Sequence, residues 1–598
     1  MKYKFIQRNN IHIVTIIFLL MLYGLYLWIW VNPSLYLIKE HREFFTNFYF
    51  FSSFLDFPGG LTEYLSRLFI QFYNFPLVAS LLTSLCLTTT YLLWISIFGS
   101  QKKRYWIPLI PIFILMLMHN DYGHAVRFDL DLLALSTTLF LFSASTHSHK
   151  RMMYFSHPLL FAILLYINGL FAAITFTTAS LLMLVPKKEK AACILVLLVE
   201  TLIVFLLYHF LFYLSFHDLK QEFTDITRMY SFHYYPLLLY ASVAMLPTLT
   251  LLTIPFLKIK KSVFTFALLG VLPLLFVVSD REERQNLLVQ HYARNENWER
   301  VLITAQQCEY PDKNTVYYTN QALYHTGKIH NELFAYNQWF GSEGLLRAEM
   351  GTFSEIVPNQ DIFLQLGALS LSIIWGTEAT NVYGANPYVL RNLTKAYLAG
   401  GYIREAQKTL NLLDQSLFQK DWVKQYRKFV CDTTLIGTDP ELGRLRKAQT
   451  PLAVVSKQRS LTNLSLLAQH SNLNKMAYDY LLVGTLLDHR MENFAFHISR
   501  LKEYGYKEIP KVYLEGLVYN TLYSDQLPLD IRDFTYDETV LFRFSAFQKD
   551  LLTLLQQDSD KTRDMLKSKY GDTYWYYLLF DSQLSEDERM NIFMKIIS

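Results

Sequence analysis

Residues 262–294 read SVFTFALLGVLPLLFVVSDREERQNLLVQHYAR, and this stretch divides the chain. Eighteen residues without a charge are followed by five consecutive charged ones, Asp280–Arg284. An uncharged apolar run of that length approaches the roughly 20 residues that cross ~30 Å of hydrocarbon. The residues beyond it carry the 3.6-residue period of a water-exposed helix. Working outward, Met1–Ser279 holds 20 Lys+Arg against 12 Asp+Glu, and Asp280–Ser598 holds 35 against 39. The first part is charge-poor and basic, the second charge-rich and slightly acidic. The whole chain is 598 residues and 52% hydrophobic, which excludes disorder and exceeds what one core supports. The expected fold is all-α: a polytopic transmembrane helix bundle over 1–279, followed by an extracytoplasmic TPR-like α-solenoid over 280–598.

Within the first part, apolar runs fall at about 11–31, 76–98, 106–118 with its continuation, 127–145, 191–214, 235–257 and 262–279. The first follows Lys2, Lys4 and Arg8, ends on Trp28 and Trp30 and lacks a small-residue cleavage site, so it reads as an uncleaved anchor. Basic clusters recur at 102–104, 150–151, 187–190 and 258–261. The positive-inside rule places all of them in the cytoplasm. The apolar stretch 157–185 lies between two such clusters, so it must cross an even number of times. Asn168-Gly169 near its middle predicts two short helices, a hairpin or re-entrant pair. On this reading the N-terminus is cytoplasmic, and the C-terminal half is periplasmic, held at a bacterial inner membrane. The lipid bilayer is the first expected partner.

Three loops then face outward: 32–75, 119–129 and 216–235. The first is aromatic-rich, Phe44-Phe45-Thr46-Asn47-Phe48-Tyr49-Phe50-Phe51, and predicts an amphipathic segment in the interface plane. Pro58-Gly59-Gly60 turns the chain between two such segments, with Asp56 and Glu63 on either side. The second loop carries His119, Asp121 and His124, then Arg127, Asp129 and Asp131 entering the next helix. Arg127 and Asp131 are i,i+4 neighbours and predict an ion pair. Clustered carboxylates serve as a general base, a metal site or a solvated rim. Asp56, Asp129 and Asp131 are the candidate catalytic residues, and Arg127, Glu63, His124 and Glu200 the candidate substrate-binding ones. Glu200 lies at mid-helix in an apolar run, where an ionisable side chain is a functional candidate. The plain reading of Glu200 is a neutral or hydrogen-bonded carboxyl. The sequence specifies no cofactor or metal.

The run Asp56-Phe57-Pro58-Gly59-Gly60-Leu61-Thr62-Glu63-Tyr64-Leu65, with Phe69-Ile70-Gln71-Phe72-Tyr73-Asn74-Phe75-Pro76, resembles an uncharacterised family of bacterial inner-membrane proteins. That likeness extends over nearly the whole chain and implies no activity. Arg127-Phe128-Asp129-Leu130-Asp131 is similar to the second outer loop of GT-C-type glycosyltransferases, which use polyprenyl-phosphate sugars. In that resemblance Asp56 stands for the first-loop acid. The chain departs from the pattern directly after the first helix, where Asn32-Pro33 stands instead of an acid. The resemblance implies a carboxylate that deprotonates an acceptor hydroxyl, a polyprenyl-phosphate-linked sugar as partner, and Arg127 against the lipid phosphate.

Beyond Asp280 the pattern is helical. Short helices are predicted over 283–294, 297–307, 314–325 and 328–339, and Asn297–Leu302 and Gly327–Phe334 occupy matching places about thirty residues apart. Asn386–Leu412, with Ala396, Ala399, Gly400-Gly401 and Ala406, is similar to a tetratricopeptide repeat. Ala477–Phe494 reads as a weaker copy, and 570–577 as an aromatic-rich helix. A repeat of this kind implies a protein or peptide partner on a concave face, with polar residues at 378–384 as candidates to line it. No Walker loop, GxSxG, HExxH or GxGxxG motif occurs in a fitting context. The acidic balance argues against nucleic acid. Four cysteines form no CxxC pair, although Cys308 and Cys431 could join in an oxidising compartment. Two functions compete: a GT-C-like transferase moving a sugar from a lipid-phosphate donor to an envelope acceptor, and a non-enzymatic membrane-anchored scaffold for envelope assembly or secretion. A transporter is a third reading, prompted by Glu200 and the broken stretch 157–185.

Overall fold

The computed structural model describes residues 10–31, 44–98, 106–120, 126–148, 150–184, 190–214, 235–251, 261–346, 353–449, 460–470, 474–522, 527–554 and 559–597. The chain falls into two compact units, Met1–Arg281 and Glu282–Ser598. No strand forms among the described residues, and Glu508 and Thr535 meet only in an isolated parallel bridge. The all-α class expected from the periodicity is observed.

In the first unit, α1 is His12–Val31, α2 Gly60–Gln71, α3 Pro76–Phe98, α4 Leu109–Met118 and α5 Arg127–Ser148. They are followed by α6 Lys150–Asn168, α7 Leu170–Leu184, α8 Lys190–Leu206, α9 Tyr235–Leu251 and α10 Lys261–Val278. Among the described residues, four helices have the length and composition to cross a membrane: His12–Val31, Pro76–Ile97, Arg127–Ser145 and Ile194–Leu211. Ser262–Val278 qualifies only together with the helix that follows it. The run expected at 106–118 is shorter than a span, because α4 has 10 residues and reaches only ~15 Å. It ends where His119 and Asn120, both buried, turn into hydrogen bonds with other helices. The run expected at 235–257 yields the 17 residues of α9. The stretch 157–185 forms two helices, α6 and α7, with Gly169 at φ +88° between them.

The Pro58-Gly59-Gly60 turn fixes α2. Gly59 adopts φ +77°, its N–H donates to the Tyr166 carbonyl (3.0 Å), and Thr62 Oγ1 donates to the Ile167 carbonyl (2.9 Å). The start of α2 is therefore stitched to the last turn of α6. The aromatics ahead of it pack on each other, with the Tyr64 ring 5.0 Å from those of Phe44 and Phe51. Phe48 and Tyr49 stay exposed.

The second unit shows a repetition that composition alone does not display. Five left-handed residues, Glu296, Gly327, Gly367, Gly401 and His489, each sit in a turn between two helices. In every case the next residue's N–H donates to a carbonyl five positions back: Asn297 to Tyr292, Lys328 to Leu323, Ala368 to Phe363, Tyr402 to Tyr397 and Arg490 to Thr485. The left-handed residue donates to a carbonyl three back in all five. These paired bonds are the Schellman helix stop. Two residues after each left-handed position a new helix opens on a large apolar side chain: Trp298, Ile329, Leu369, Ile403 and Met491. The matching places predicted near Asn297 and Gly327 are two members of this set. The helix predicted over 328–339 shrinks to Ile329–Glu332 and a 3-10 turn at Leu333–Ala335. There the Gln338 amide donates to the Leu333 carbonyl (3.2 Å), an acceptor that a continuing helix would use itself. The predicted helix at 570–577 is also interrupted, since Ser559–Tyr570 ends and Tyr574–Tyr576 begins anew. Cys308 and Cys431 are both free thiols.

Glu515 explains the interruption. Its carboxylate, 1% exposed, accepts the N–H of Tyr574 (2.9 Å). Burial pushes this carboxyl up to about 8, and Lys511 Nζ, 3.9 Å away, only partly opposes the rise. The folded state then holds a proton that the unfolded chain releases above about 4.5. The contribution of Glu515 to stability is fully present below that value and is lost as pH rises through about 8. Glu515→Gln keeps an acceptor for Tyr574 and removes the titration. Thermal melts of the full chain should show the variant gaining on the parent from pH 5 to pH 9, by an amount on the order of a few kcal/mol. Parallel curves over that range would refute the assignment.

Candidate functional site

Polar side chains are scarce in the first unit, so those that are buried there define its chemistry. Among the described residues its four buried carboxylates, Glu63, Asp129, Asp131 and Glu200, fall in three clusters. Asp131, 1% exposed, accepts from Asn168 Nδ2 (2.9 Å) and the Tyr240 hydroxyl (3.0 Å) and stands 3.7 Å from Arg127 Nε. Arg127 also lies 4.0 Å from Glu63, which in turn holds Arg67 Nε at 3.0 Å. The i,i+4 pair predicted from the sequence is present. The cluster joins α2, α5, the α6–α7 break and α9. Among the described residues two guanidiniums face two carboxyl groups there. Gly59 belongs to the same place, since a Cβ there would lie 2.9 Å from the Arg127 guanidinium and 3.1 Å from the Asn168 carbonyl.

Asp129, two residues earlier on α5, faces a different cluster. His119 Nε2 is 3.2 Å from its Oδ2, and the Tyr23 hydroxyl is 2.7 Å from His119 Nδ1. In the tautomer that donates from Nε2–H to the carboxylate, Nδ1 accepts from Tyr23, which gives the order of a Tyr–His–Asp relay. Beside it, the Tyr26 hydroxyl donates to Asn120 Oδ1 (2.6 Å), and Asn120 Nδ2 donates to the Leu275 carbonyl (2.9 Å). An apolar cavity of about 380 Å³ lies against the same three helices, lined by Phe18, Leu19, Met116, Phe264 and Val271 among others. One helical turn from those residues come Tyr23, His119 and Leu275. The cavity wall therefore runs along its helices toward the relay.

Glu200 completes a third cluster. His157 Nδ1 is 3.0 Å from Glu200 Oε1, His157 Nε2 is 2.6 Å from Ser180 Oγ, and Thr177 Oγ1 donates to Glu200 Oε2 (3.0 Å). The rings of Phe142 and Phe176 enclose the imidazole, with centroids 5.0 and 4.9 Å away. His209 takes no part and stacks on Phe205 at 5.6 Å.

The candidate residues are thus not one constellation. Glu63, Arg127 and Asp131 meet, Asp129 and Glu200 each belong elsewhere, and Asp56 is exposed on the loop before Pro58. Residues 129 and 131 cannot share a helix face, because two steps turn a helix through about 200°. His124 lies outside the described residues, as do Asn32-Pro33 and the basic side chains at 2–8, 102–104, 187–188 and 258–260. Among the described residues no group of three or more His, Cys, Asp or Glu could hold a metal ion. The sequence reading did not single out Tyr23, His157, Ser180 or Tyr240, and took Asn168 only as part of a helix break. Each is a polar group inside an apolar run, but nothing local marks which of many Ser, Thr and Tyr side chains faces a carboxylate.

The chain belongs to a family of unknown function, DUF6057, whose model matches residues 6–581. No curated protein and no solved structure matches it.

Proposed function

We propose that this member of a family of unknown function is a multi-pass inner-membrane protein with an extracytoplasmic TPR-like domain. In this reading its membrane half is a GT-C-like transferase that moves a sugar from a lipid-phosphate donor to an envelope acceptor. The observation that carries the reading is the apolar cavity whose wall leads, one turn on, to the Tyr23–His119–Asp129 relay. An isoprenoid tail suits such a cavity, and its head group would then lie near the relay. Asp129 takes the proton of the acceptor hydroxyl. The acceptor oxygen bonds the anomeric carbon as the carbon–oxygen bond to phosphate breaks. The phosphate departs with the electron pair, and Arg127, about one-quarter exposed, is the cation to meet it. Tyr23 and His119 are positioning residues for Asp129. The five matching Schellman turns support the repeat reading of the C-terminal unit, and exposed Asn381 and Val382 support a peptide-binding role for 378–384.

The test is transfer from a polyprenyl-phosphate sugar by full-length protein in liposomes. Asp129→Asn should lose at least about 100-fold and Asp56→Asn less than about threefold. Full transfer by Asp56, Asp129 and Asp131 variants alike would remove the reading. A second reading, the anchored scaffold, is favoured by one observation: Asp129 and Asp131 are only 2% and 1% exposed and are held by partners. It expects the C-terminal half on an unrelated anchor to rescue a deletion strain.

A further inference from the structure

Two candidate spans meet at one end of the first unit. Arg127 opens the first of them and lies 4.0 Å from Glu63, while Asp131, one turn on, accepts from Asn168 at the break between α6 and α7 (2.9 Å). Leu211 closes the other. The next residue, Phe212, stacks its ring at 5.7 Å on Tyr166, two residues before that break. The Tyr166 hydroxyl donates to the Leu55 carbonyl (3.3 Å), so the aromatic pile ahead of α2 adjoins the same place. At the other end of α6, Ser156 Oγ lies 2.9 Å from Ser145 Oγ, where the α5 span finishes. The start of one span, the end of another and the cluster of Glu63, Arg127 and Asp131 therefore share one level.

Exposed aromatic side chains gather at that level. The Asn47 side chain accepts the Phe50 N–H (2.7 Å) and starts a short helical turn. The turn sets Phe50 against Phe54 and Phe51 against Tyr64, at 4.9 and 5.0 Å, and leaves Phe48 and Tyr49 77% and 85% exposed. Past α8 the chain turns at Tyr213, left-handed at φ +53° and 85% exposed, with Phe210 62% exposed nearby. An aromatic residue rarely adopts that conformation, and the Leu214 N–H closes the turn by donating to the Tyr208 carbonyl (2.9 Å). An apolar flank runs up to these rings: Ile194, Leu195, Leu198, Leu202 and Phe205 on α8 are each more than half exposed. From 194 to 214 Glu200 is the one Asp, Glu, Lys or Arg, and it is buried. The 18 residues of that span measure about 27 Å, close to the thickness of a hydrocarbon core. Hydrocarbon suits such a flank. Rings at its end belong at the headgroup level, where an aromatic side chain keeps its apolar body toward the acyl chains and a tyrosine its hydroxyl toward water.

We propose that Phe48, Tyr49, Phe210 and Tyr213 form one anchor in the headgroup layer of the bilayer and so place the Glu63–Arg127–Asp131 cluster at the depth of the lipid phosphates. Composition pointed to the interface for 44–51 alone. The stack of Tyr166 on Phe212 joins the end of α8 to that segment, and the Gly59 N–H, donating to the Tyr166 carbonyl, ties both to the start of α2. The proposal rests on the multi-pass reading above and not on the transferase chemistry.

The test uses the full-length chain in phosphatidylethanolamine–phosphatidylglycerol vesicles whose lipids carry a nitroxide either near the headgroup or near the end of the acyl chain. Tyr49→Trp, Tyr213→Trp and Leu65→Trp are read as the emission each adds to that of the nine native tryptophans. Leu65, 42% exposed on α2 between Glu63 and Arg67, reports the level of the cluster. For all three, the headgroup nitroxide should remove roughly half of the added emission and the chain-end nitroxide much less. Leu202→Trp, midway along the exposed face of α8, is the control and should show the reverse order. If the control behaves so while the emission added at 49 or 213 is quenched by neither lipid, water or a protein covers the rings, and the proposal falls while the multi-pass reading stands. Stronger quenching of Leu65→Trp from the chain end would set the cluster too deep and overturn the proposal as well. A control quenched by neither lipid would remove the multi-pass reading and the proposal together.

Discussion

Replacing Gly60 by alanine should destabilise the chain by at least ~3 kcal/mol. A Cβ at this position would lie 1.9 Å from the Phe54 carbonyl oxygen and 2.8 Å from its carbon, and backbone cannot yield as a flexible side chain can. Phe54 has nowhere to move: it is 5% exposed, its ring meets those of Phe50 and Tyr64 at 4.9 and 5.6 Å, and the Arg67 guanidinium sits 5.1 Å over it. The strain passes to the polar cluster through Gly59, the next residue, whose N–H holds Tyr166 and whose open Cβ position admits Arg127. Gly270→Ala is the control. That glycine lies inside α10 with nothing within 4 Å, and alanine there should be neutral or stabilising by up to about 1 kcal/mol. Thermal melts of the detergent-purified chain compare the two. A Gly60→Ala protein with the parent's melting temperature would show that the turn is not packed as described.

Asp361→Ala should cost a similar amount, about 3–5 kcal/mol, for an electrostatic reason. Arg294 and Asp361 are 5% and 6% exposed and meet at 2.5 Å. The Tyr388 hydroxyl donates to the same carboxylate oxygen (2.8 Å), Asn392 donates to the other, and the guanidinium lies 4.3 Å over the Tyr388 ring. The pair joins helices Arg281–Arg294, Phe353–Gln365 and Pro387–Gly400, three members of the repeated helix–turn–helix set. Removing the carboxylate leaves a buried cation without its partner. Removing both charges with apolar residues of similar volume should recover most of the loss, since the isolated charge carries the penalty. Denaturation of the single and double variants measures this. A double variant no more stable than Asp361→Ala would mean that packing, not charge, carries the effect.

Much of this was legible in the chain itself. Composition changes at Ser279–Asp280, two residues from the boundary between the compact units at Arg281–Glu282. Helix stops were legible where glycine marks them, as at Gly327 and Gly401. They were hidden at Glu296 and His489, because the same left-handed turn is made there by residues that carry no turn signal. The Arg127–Asp131 contact followed from i,i+4 spacing alone.

Residue types and their local spacing determined the helical class, the apolar runs and the turns that divide them, because each depends on neighbours within one or two helical turns. Tertiary structure decided which polar groups meet. It separated Asp129 from Asp131 and joined His157 to Ser180 and Glu200, 23 and 43 positions on. The physical reason is rotation. A helix that is apolar on every side does not announce which face turns inward, so the direction of its few polar side chains is set by packing against other helices.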